Sequence, residues 1–120
     1  MKTFIIEDKT FGTYCRFFYE CSEEEFTRYI NKKFNKNHTI KGSNGKFVIN
    51  GREYIYCFIW INRKNNIETL SHEILHLVKY WLLNYFNIAL TDETEEVYCL
   101  LHSFYLNSIL KKLGLNKYVK

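Results

Sequence analysis

The fold is decided by residues 53–85, which read EYIYCFIWINRKNNIETLSHEILHLVKYWLLNY. At the start of this stretch the side chains alternate between two apolar sets. One face carries Ile55, Cys57, Ile59 and Ile61, and the other carries Tyr54, Tyr56, Phe58 and Trp60. A period of two predicts a β-strand, and apolar side chains on both faces predict that both faces are covered.

The second half of the stretch has a helical period. Its apolar side chains recur every three or four residues, at Leu70, Ile74, Leu77, Val78, Trp81, Leu82 and Tyr85. This spacing places them along one side of an α-helix. Asn65 and Glu68 fit a capping pattern at its start. We therefore expect a buried strand followed by an amphipathic helix.

Two strands and a helix are predicted before this stretch. Residues 2–6 and 13–20 are rich in aromatic and β-branched side chains, which favour strands. Ser22 and Glu25 have the spacing of a capping box, in which each side chain bonds the backbone N–H of the other residue. Apolar side chains then follow at helical spacing, at Phe26, Tyr29, Ile30 and Phe34. We expect this helix to end near Asn35.

The middle of the chain predicts a loop and a hairpin. Residues 36–45 are polar and contain two glycines, as expected of a surface loop. Residues 47–49 and 53–62 are then separated by Asn50-Gly51, a dipeptide that suits the positive φ angles of a tight hairpin turn. We expect these two segments to pair as antiparallel strands.

A last helix is predicted over residues 92–113, and Gly114 is expected to end it as a C-terminal cap. The predicted order is ββα, ββ, αα, which gives an α+β fold with a small antiparallel sheet, ββαββ, followed by two helices. The chain has 120 residues, of which 47% are apolar and 18% aromatic, and its formal net charge is +4. This composition excludes intrinsic disorder, and the length suits a single domain over residues 1–120.

Residues 72–76 read His-Glu-Ile-Leu-His and match the metal-binding pattern His-Glu-x-x-His. Residues four apart on a helix lie on one face, about one turn apart, so His72 and His76 can share one zinc ion. Glu73 lies roughly 100° around the helix, where it can reach a water on the metal and act as a general base. The competing interpretation is two histidines on a solvated helix face.

A catalytic zinc site needs a third protein ligand. Glu93, Glu95 and Glu96 are candidates, because an extended segment of about 26 Å can bring the chain back after roughly 15 Å of helix beyond His76. We choose Glu95, which shares a helix face with His102, and place Glu96 second. The alternative is the ordinary preference for acidic residues in the first turn of a helix.

His102 is a second candidate catalytic residue, since it can stabilise an oxyanion if its helix face looks toward the metal. The competing interpretation, to which we give more weight, is an inward-facing histidine bonded to a backbone carbonyl. The cysteines show neither a Cys-x-x-Cys pair nor zinc-finger spacing, and we interpret them as reduced thiols in the core. They are Cys15, Cys21, Cys57 and Cys99.

At these residues the chain resembles the gluzincin class of zinc metallopeptidases, in which His-Glu-x-x-His is followed by a ligand glutamate on the next helix. Residues 69–106 are similar to a group of small phage and prophage proteins with a strand, a His-Glu-x-x-His helix and a Thr-Glu helix start. The resemblance implies a minimal zincin-like fold and a zinc site. Gluzincins often place an aspartate four residues after the ligand glutamate, and this chain has Cys99 or Leu100 there.

Two functions are expected from these features. The first is a zinc metallopeptidase of narrow specificity, because we expect no propeptide to restrain a cytoplasmic protease. If the strand at 53–62 has a free edge, a peptide or protein substrate can add to it. The second is a non-catalytic phage-type accessory or anti-defence protein that binds a host protein and uses the metal structurally. Nucleic-acid binding through the Lys- and Asn-rich residues 31–46 is ranked last.

No targeting segment or membrane span is expected. The first apolar run stops at Glu7 and Asp8, which is too early for a signal peptide. The longest apolar region, residues 70–90, contains two histidines, a glutamate and a lysine. The protein is therefore expected in the cytoplasm of a bacterium or of a phage-infected cell, without a membrane partner.

Overall fold

A computed structural model describes residues 2–34, 58–61 and 67–115. The elements of this part are β1 (Lys2–Asp8), β2 (Thr13–Tyr19), α1 (Glu23–Phe34), β3 (Phe58–Trp60), α2 (Ile67–Lys79) and α3 (Glu95–Lys112). A π-helical stretch, Tyr80–Tyr85, continues α2. The fold is α+β, as the sequence predicts. Among these helices none is both long enough and apolar enough to cross a membrane.

The sheet has the strand order β1-β2-β3 and is mixed. β1 pairs antiparallel with β2, where Ile6 lies opposite Cys15. β3 pairs parallel with β2, where Ile59 lies opposite Phe17. The prediction of an entirely antiparallel sheet is therefore wrong. The physical reason is that parallel neighbours need a long crossover connection, and the chain between β2 and β3 is long enough for one and contains α1.

The predicted hairpin is described only in part. Of the arm predicted over residues 53–62, the structure describes residues 58–61 and assigns 58–60 to β3. The other arm at 47–49 and the Asn50-Gly51 turn lie outside the described residues. The pairing of the two arms stays a prediction.

Both faces of the sheet are covered, as predicted for the stretch that becomes β3. On one face Phe17 and Ile59 belong to the main core, together with residues of α2 and α3. On the other face Phe18 and Trp60 contact Phe26 of α1, whose ring stacks on Trp60 with 5.6 Å between ring centroids. The described elements therefore form three layers: α1, the sheet, and α2 with α3.

The capping box of α1 is confirmed. The Glu25 N–H donates to Ser22 Oγ at 3.1 Å, and the Ser22 N–H donates to Glu25 Oε1 at 3.3 Å. These two bonds satisfy backbone donors that the first turn of a helix leaves without partners. The helix begins at the residue after Ser22, where the sequence pattern places it.

α2 has the predicted amphipathic pattern, with Leu70, Ile74 and Leu77 fully buried. The proposed cap residue Asn65 lies outside the described residues. The π-helical continuation was not predicted from the sequence. At its end the Phe86 N–H donates to the Trp81 carbonyl at 3.0 Å, five residues back.

α3 begins three residues later than predicted and ends one residue earlier, at Lys112. A turn precedes it, in which the Thr91 N–H donates to Thr94 Oγ1 at 2.8 Å. At the other end Gly114 has a φ of 75°. Its N–H bonds the Lys111 carbonyl and the Leu115 N–H bonds the Leu110 carbonyl, the pattern of a glycine-terminated helix.

A buried polar cluster joins the β1–β2 turn to α3. The Asp8 carboxylate accepts hydrogen bonds from the Thr10 and Phe11 N–H groups, and also from Thr13 Oγ1. Thr13 Oγ1 lies 2.6 Å from the hydroxyl of Tyr105, which belongs to α3. The turn and α3 are thereby fixed relative to each other.

Candidate metal centre

α2 places His72 and His76 on its solvent-exposed side. The residues that face the core recur at helical spacing on the opposite side, namely Leu70, Ile74, Leu77 and Val78. Because a helix turns about 100° per residue, this burial pattern leaves positions 72 and 76 pointing away from the sheet. Both imidazoles are exposed. The amphipathic pattern of α2 therefore determines the location of the histidine pair.

The two imidazoles converge. Their Nε2 atoms lie 3.2 Å apart and their ring centroids 4.9 Å apart. Two nitrogen ligands of one tetrahedral zinc, each about 2.0–2.1 Å from the metal, are separated by roughly 3.3–3.4 Å. The pair thus has the spacing of two ligands on one zinc ion. The same spacing also suits a hydrogen bond between two neutral imidazoles.

Glu73 is buried beside this pair, with only 8% of its surface exposed. It lies about 100° around α2 from His72, on the flank away from Ser71. Within the described ranges its carboxylate makes no hydrogen bond and no ion pair. Burial of a carboxylate without a partner is unfavourable, so such a group in a native fold suggests a functional role. A proton-accepting role next to a metal would supply one.

The predicted third ligand does not join the histidines. In residues 2–34, 58–61 and 67–115, no three or more His, Cys, Asp or Glu side chains form a group that could hold a metal. The structure therefore brings His72 and His76 together and leaves Glu95 and Glu96 apart from them. Glu93 is engaged locally: hydrogen bonds from its own backbone and from Thr91 lower the pKa of its carboxyl group.

A cleft of about 340 Å³ lies between α2 and α3. Leu75 contributes one wall and Glu95, Cys99 and His102 contribute the other, which confirms that these three residues share a face of α3. Glu96 does not line the cleft. Leu75 directly precedes His76 on α2, and neither histidine of the pair lines the cleft.

The floor of the cleft is fixed by Tyr98. Its hydroxyl donates to the Ile88 carbonyl at 2.6 Å, which ties the segment before α3 to the helix itself. Burial raises the pKa of the Tyr98 hydroxyl, so this group stays protonated and remains a hydrogen-bond donor.

His102 contacts α2 through Ser71. Its Nε2 lies 3.1 Å from the Ser71 carbonyl oxygen and 3.4 Å from Ser71 Oγ. Because a carbonyl can only accept, Nε2 carries the hydrogen and donates it. The interpretation of His102 as a histidine bonded to a backbone carbonyl is confirmed. Its catalytic role stays a prediction. The observed hydrogen bond connects α3 to α2.

The cysteines differ in exposure. Cys15 and Cys21 are buried thiols, as predicted, whereas the Cys99 thiol is exposed in the cleft and the prediction of a core position is wrong there. Burial raises the pKa of the Cys21 thiol, and the charge of Glu25 raises it further. Cys57 lies outside the described residues.

Two residues of the site were not singled out from the sequence. Ser71 receives the hydrogen bond of His102, and Leu75 lines the cleft. Each directly precedes a histidine of the pair, so both lie on the flank of α2 opposite Glu73. Their position directly before the two histidines was the signal by which the sequence could have identified them.

Comparison of the chain with family models, with curated proteins and with solved structures finds no match.

Proposed function

We propose that the protein binds one zinc ion through His72 and His76 and hydrolyses a peptide bond in a narrow set of protein substrates, with Glu73 as the general base. The observation that carries the proposal is the 3.2 Å separation of the two Nε2 atoms. This separation is close to that of two nitrogen ligands on one tetrahedral zinc. It occurs on an exposed helix face, where core packing does not hold the rings together.

Each residue of the site has a separate task. His72 and His76 supply neutral imidazole nitrogens for the metal. Zinc, when bound, supplies Lewis acidity, which activates a water for attack and polarises the substrate carbonyl. Glu73 accepts the proton, because its carboxylate lies on the adjoining flank of the helix without a partner among the described residues.

Glu95 remains our choice for the third ligand. It lines the cleft that opens beside Leu75, whereas Glu96 does not. Its carboxylate is exposed and belongs to the first turn of α3, so a change of side-chain rotamer does not disturb the core. In this proposal Glu95 turns toward the histidine pair when the metal binds.

The substrate is a polypeptide in this proposal. Among the described strands, β3 lies at an edge of the sheet, and α2 packs against it. A peptide that pairs with β3 in extended form, in the place that the sequence predicts for the arm at 47–49, would run close to α2. The adjacent cleft of about 340 Å³ offers a place for a substrate side chain, and this supports narrow specificity.

The second candidate function is a non-catalytic protein that binds a host protein and uses the metal structurally. One observation favours it: no third His, Cys, Asp or Glu joins the histidine pair in the part of the chain that is described. Two ligands on one helix can fix a local structure without the geometry that hydrolysis needs. In this case Glu73 would have no proton to accept.

Metal analysis of the purified protein tests the proposal. We expect about one equivalent of zinc in the wild type and little in His76→Ala, because removal of one ligand disrupts a tetrahedral site. Leu75→Ala is the matched control, since it changes an exposed neighbour on the same helix and should keep the zinc. Stoichiometric zinc in His76→Ala overturns the proposal.

A further inference from the structure

β1 forms one edge of the sheet. β2 pairs with it on one side, and no strand in the described part of the chain pairs with it on the other. In an antiparallel pair, every second residue directs its backbone N–H and C=O away from the neighbouring strand. β1 has seven residues, so three or four of them present these groups at the outer edge. Such an edge is a template for one further strand.

The outer edge of β1 has no feature that would prevent such pairing. Edge strands are commonly protected by a bulge, a proline or a charge within the strand. β1 pairs with β2 residue for residue from Lys2 to Asp8, without a bulge, and contains no proline. Its charges lie at its two ends, and residues 3–6 between them read Thr-Phe-Ile-Ile. These side chains favour extended structure, and Ile5 is 45% exposed. The centre of the edge is therefore suited to strand addition.

A groove of about 360 Å³ runs along this edge, between β1 and α3. Its β1 wall consists of three consecutive residues, Ile5, Ile6 and Glu7. Successive side chains of a strand point to opposite faces of the sheet, so a groove lined by three in succession follows the edge of the strand. Phe104 and Ser108 of α3 form part of the opposite wall. An extended chain in the groove would therefore lie beside the backbone of β1 and contact α3.

The charged residues of the groove give it a net positive charge. Lys111 and Lys112 of α3 both line it and are exposed, and Glu7 is the third charged residue. Among the described residues neither lysine forms an ion pair with Glu7 or with another carboxylate. Two ammonium groups against one carboxylate favour acidic side chains in whatever occupies the groove, and they disfavour basic ones.

We propose that the groove between β1 and α3 binds an extended segment of another protein, which adds to β1 as a further strand and carries acidic side chains near Lys111 and Lys112. Backbone hydrogen bonds to β1 supply affinity for an extended chain, and the lysines select its charge. β1 and β3 are the two edges of the described sheet, so this site is separate from the edge at which the proposed substrate pairs. The proposal therefore does not depend on zinc.

Selection from a random octapeptide library displayed on phage tests the site. The full chain is the target, and a chelator is present so that zinc-dependent hydrolysis does not destroy the peptides. We expect the selected peptides to combine acidic side chains with β-branched or aromatic ones, since the former are attracted to the lysines and the latter favour strand pairing. A selection that yields no binder, or binders that are mainly basic, overturns the proposal.

N-methylation of the strongest selected peptide tests the strand pairing. An N-methyl group removes a backbone donor, and alternate residues of a strand direct their donors to the same side. Methylation of one alternate set should raise the Kd by roughly tenfold or more, because donors to β1 are lost, whereas methylation of the other set should change it little. Equal effects of the two sets would show that the peptide does not bind as a strand, which overturns the proposal.

Charge reversal of the lysines locates the peptide. The double variant Lys111→Glu with Lys112→Glu should raise the Kd of the selected peptide by roughly tenfold, because it replaces two attractions with two repulsions. The matched control is Lys32→Glu with Lys79→Glu, which changes the net charge equally and also reverses exposed lysines in the last turns of helices. The control should bind like the wild type, and circular dichroism should be the same for both variants. An equal Kd in the two double variants places the peptide elsewhere and overturns the proposal.

Two further measurements identify other occupants. His76→Ala should bind the selected peptide as tightly as the wild type does, and weaker binding would place the peptide at the histidine pair instead. Size-exclusion chromatography of the wild type, with and without the peptide, detects a second copy at the edge. A dimer that the peptide does not dissociate would show that a second copy occupies β1. Either result overturns the proposal, whereas a wild type that fails to bind zinc overturns only the metal site.

Discussion

The Nε2 atom of His72 lies 3.2 Å from the Nε2 atom of His76, on the side of α2 that faces away from the sheet. Both side chains are exposed, so neither fills the core. The proposed metal site and the stability of the metal-free fold are therefore largely separable. Substitutions at these positions report on metal binding without the cost of a disrupted core.

The first prediction concerns zinc-linked stability. Excess zinc should raise the Tm of the wild type, because a ligand that binds only the folded state adds about 2.7 kcal/mol at a hundred times its Kd. His72→Ala should lose this gain. Without zinc its free energy of unfolding should stay within about 0.5 kcal/mol of the wild type, since the ring is exposed. Thermal unfolding with zinc and with a chelator measures both. A zinc-dependent rise in the Tm of His72→Ala would contradict the assignment.

The second prediction concerns the third ligand. Glu95→Gln should lower zinc affinity by roughly tenfold or more, whereas Glu96→Gln should change it little. The two residues are matched controls for each other, because both are exposed in the first turn of α3 and lose the same interaction with the helix dipole. Competition with a chromophoric chelator gives both affinities. A loss of zinc affinity in Glu96→Gln but not in Glu95→Gln would reassign the ligand to Glu96. Wild-type affinity in both variants would mean that neither glutamate of α3 is the third ligand.

The third prediction tests the cluster that fixes α3 to the β1–β2 turn. Tyr105→Phe should lower the free energy of unfolding by about 1–3 kcal/mol, because it removes the buried partner of Thr13 Oγ1. Tyr85→Phe is the control, as Tyr85 is 45% exposed, and it should lower stability by much less. Urea denaturation of both variants measures the difference. Equal losses would show that the contact with Thr13 contributes nothing.

Local signals in the sequence predicted the helices and their ends. Ser22 and Glu25 were recognisable because a capping box involves residues only three apart. Gly114 was recognisable because a glycine directly after a helical segment commonly adopts the positive φ that ends the helix, as it does here. The direction of β3 was missed, since it depends on where a crossover delivers the chain, and the Asn50-Gly51 hairpin signal says nothing about the pairing with β2.

The candidate site also has one part that local signals predict and another part that depends on non-local packing. Helical spacing alone places His72 and His76 on one face, so their convergence follows from the sequence. The position of Glu95 depends on how α3 packs on α2, which is set by non-local contacts such as the bond from His102 to the Ser71 carbonyl. The His-Glu-x-x-His spacing contains no information about this packing. The pair could therefore be predicted more securely than the third ligand.

The last prediction separates an enzyme from a binding protein through Glu73. Glu73→Gln keeps the shape of the side chain and removes its ability to accept a proton. Zinc content should equal that of the wild type, because Glu73 is not a proposed ligand. The metal-free Tm should be equal or higher, since the buried carboxylate has no partner among the described residues. A lower Tm would show that Glu73 has a structural partner.

In a hydrolase, Glu73→Gln removes the general base and should slow turnover by roughly a hundredfold or more. The effect of the protein when it is expressed in host cells should then disappear, while zinc and fold persist. Glu68→Gln is the matched control, because Glu68 is an exposed glutamate on the same helix, and it should keep the full effect. A binding protein would tolerate both changes, since a buried neutral isostere alters neither the outer surface nor the metal. If Glu73→Gln keeps both its zinc and the full cellular effect, hydrolysis is not the cause of that effect, and the binding function replaces it.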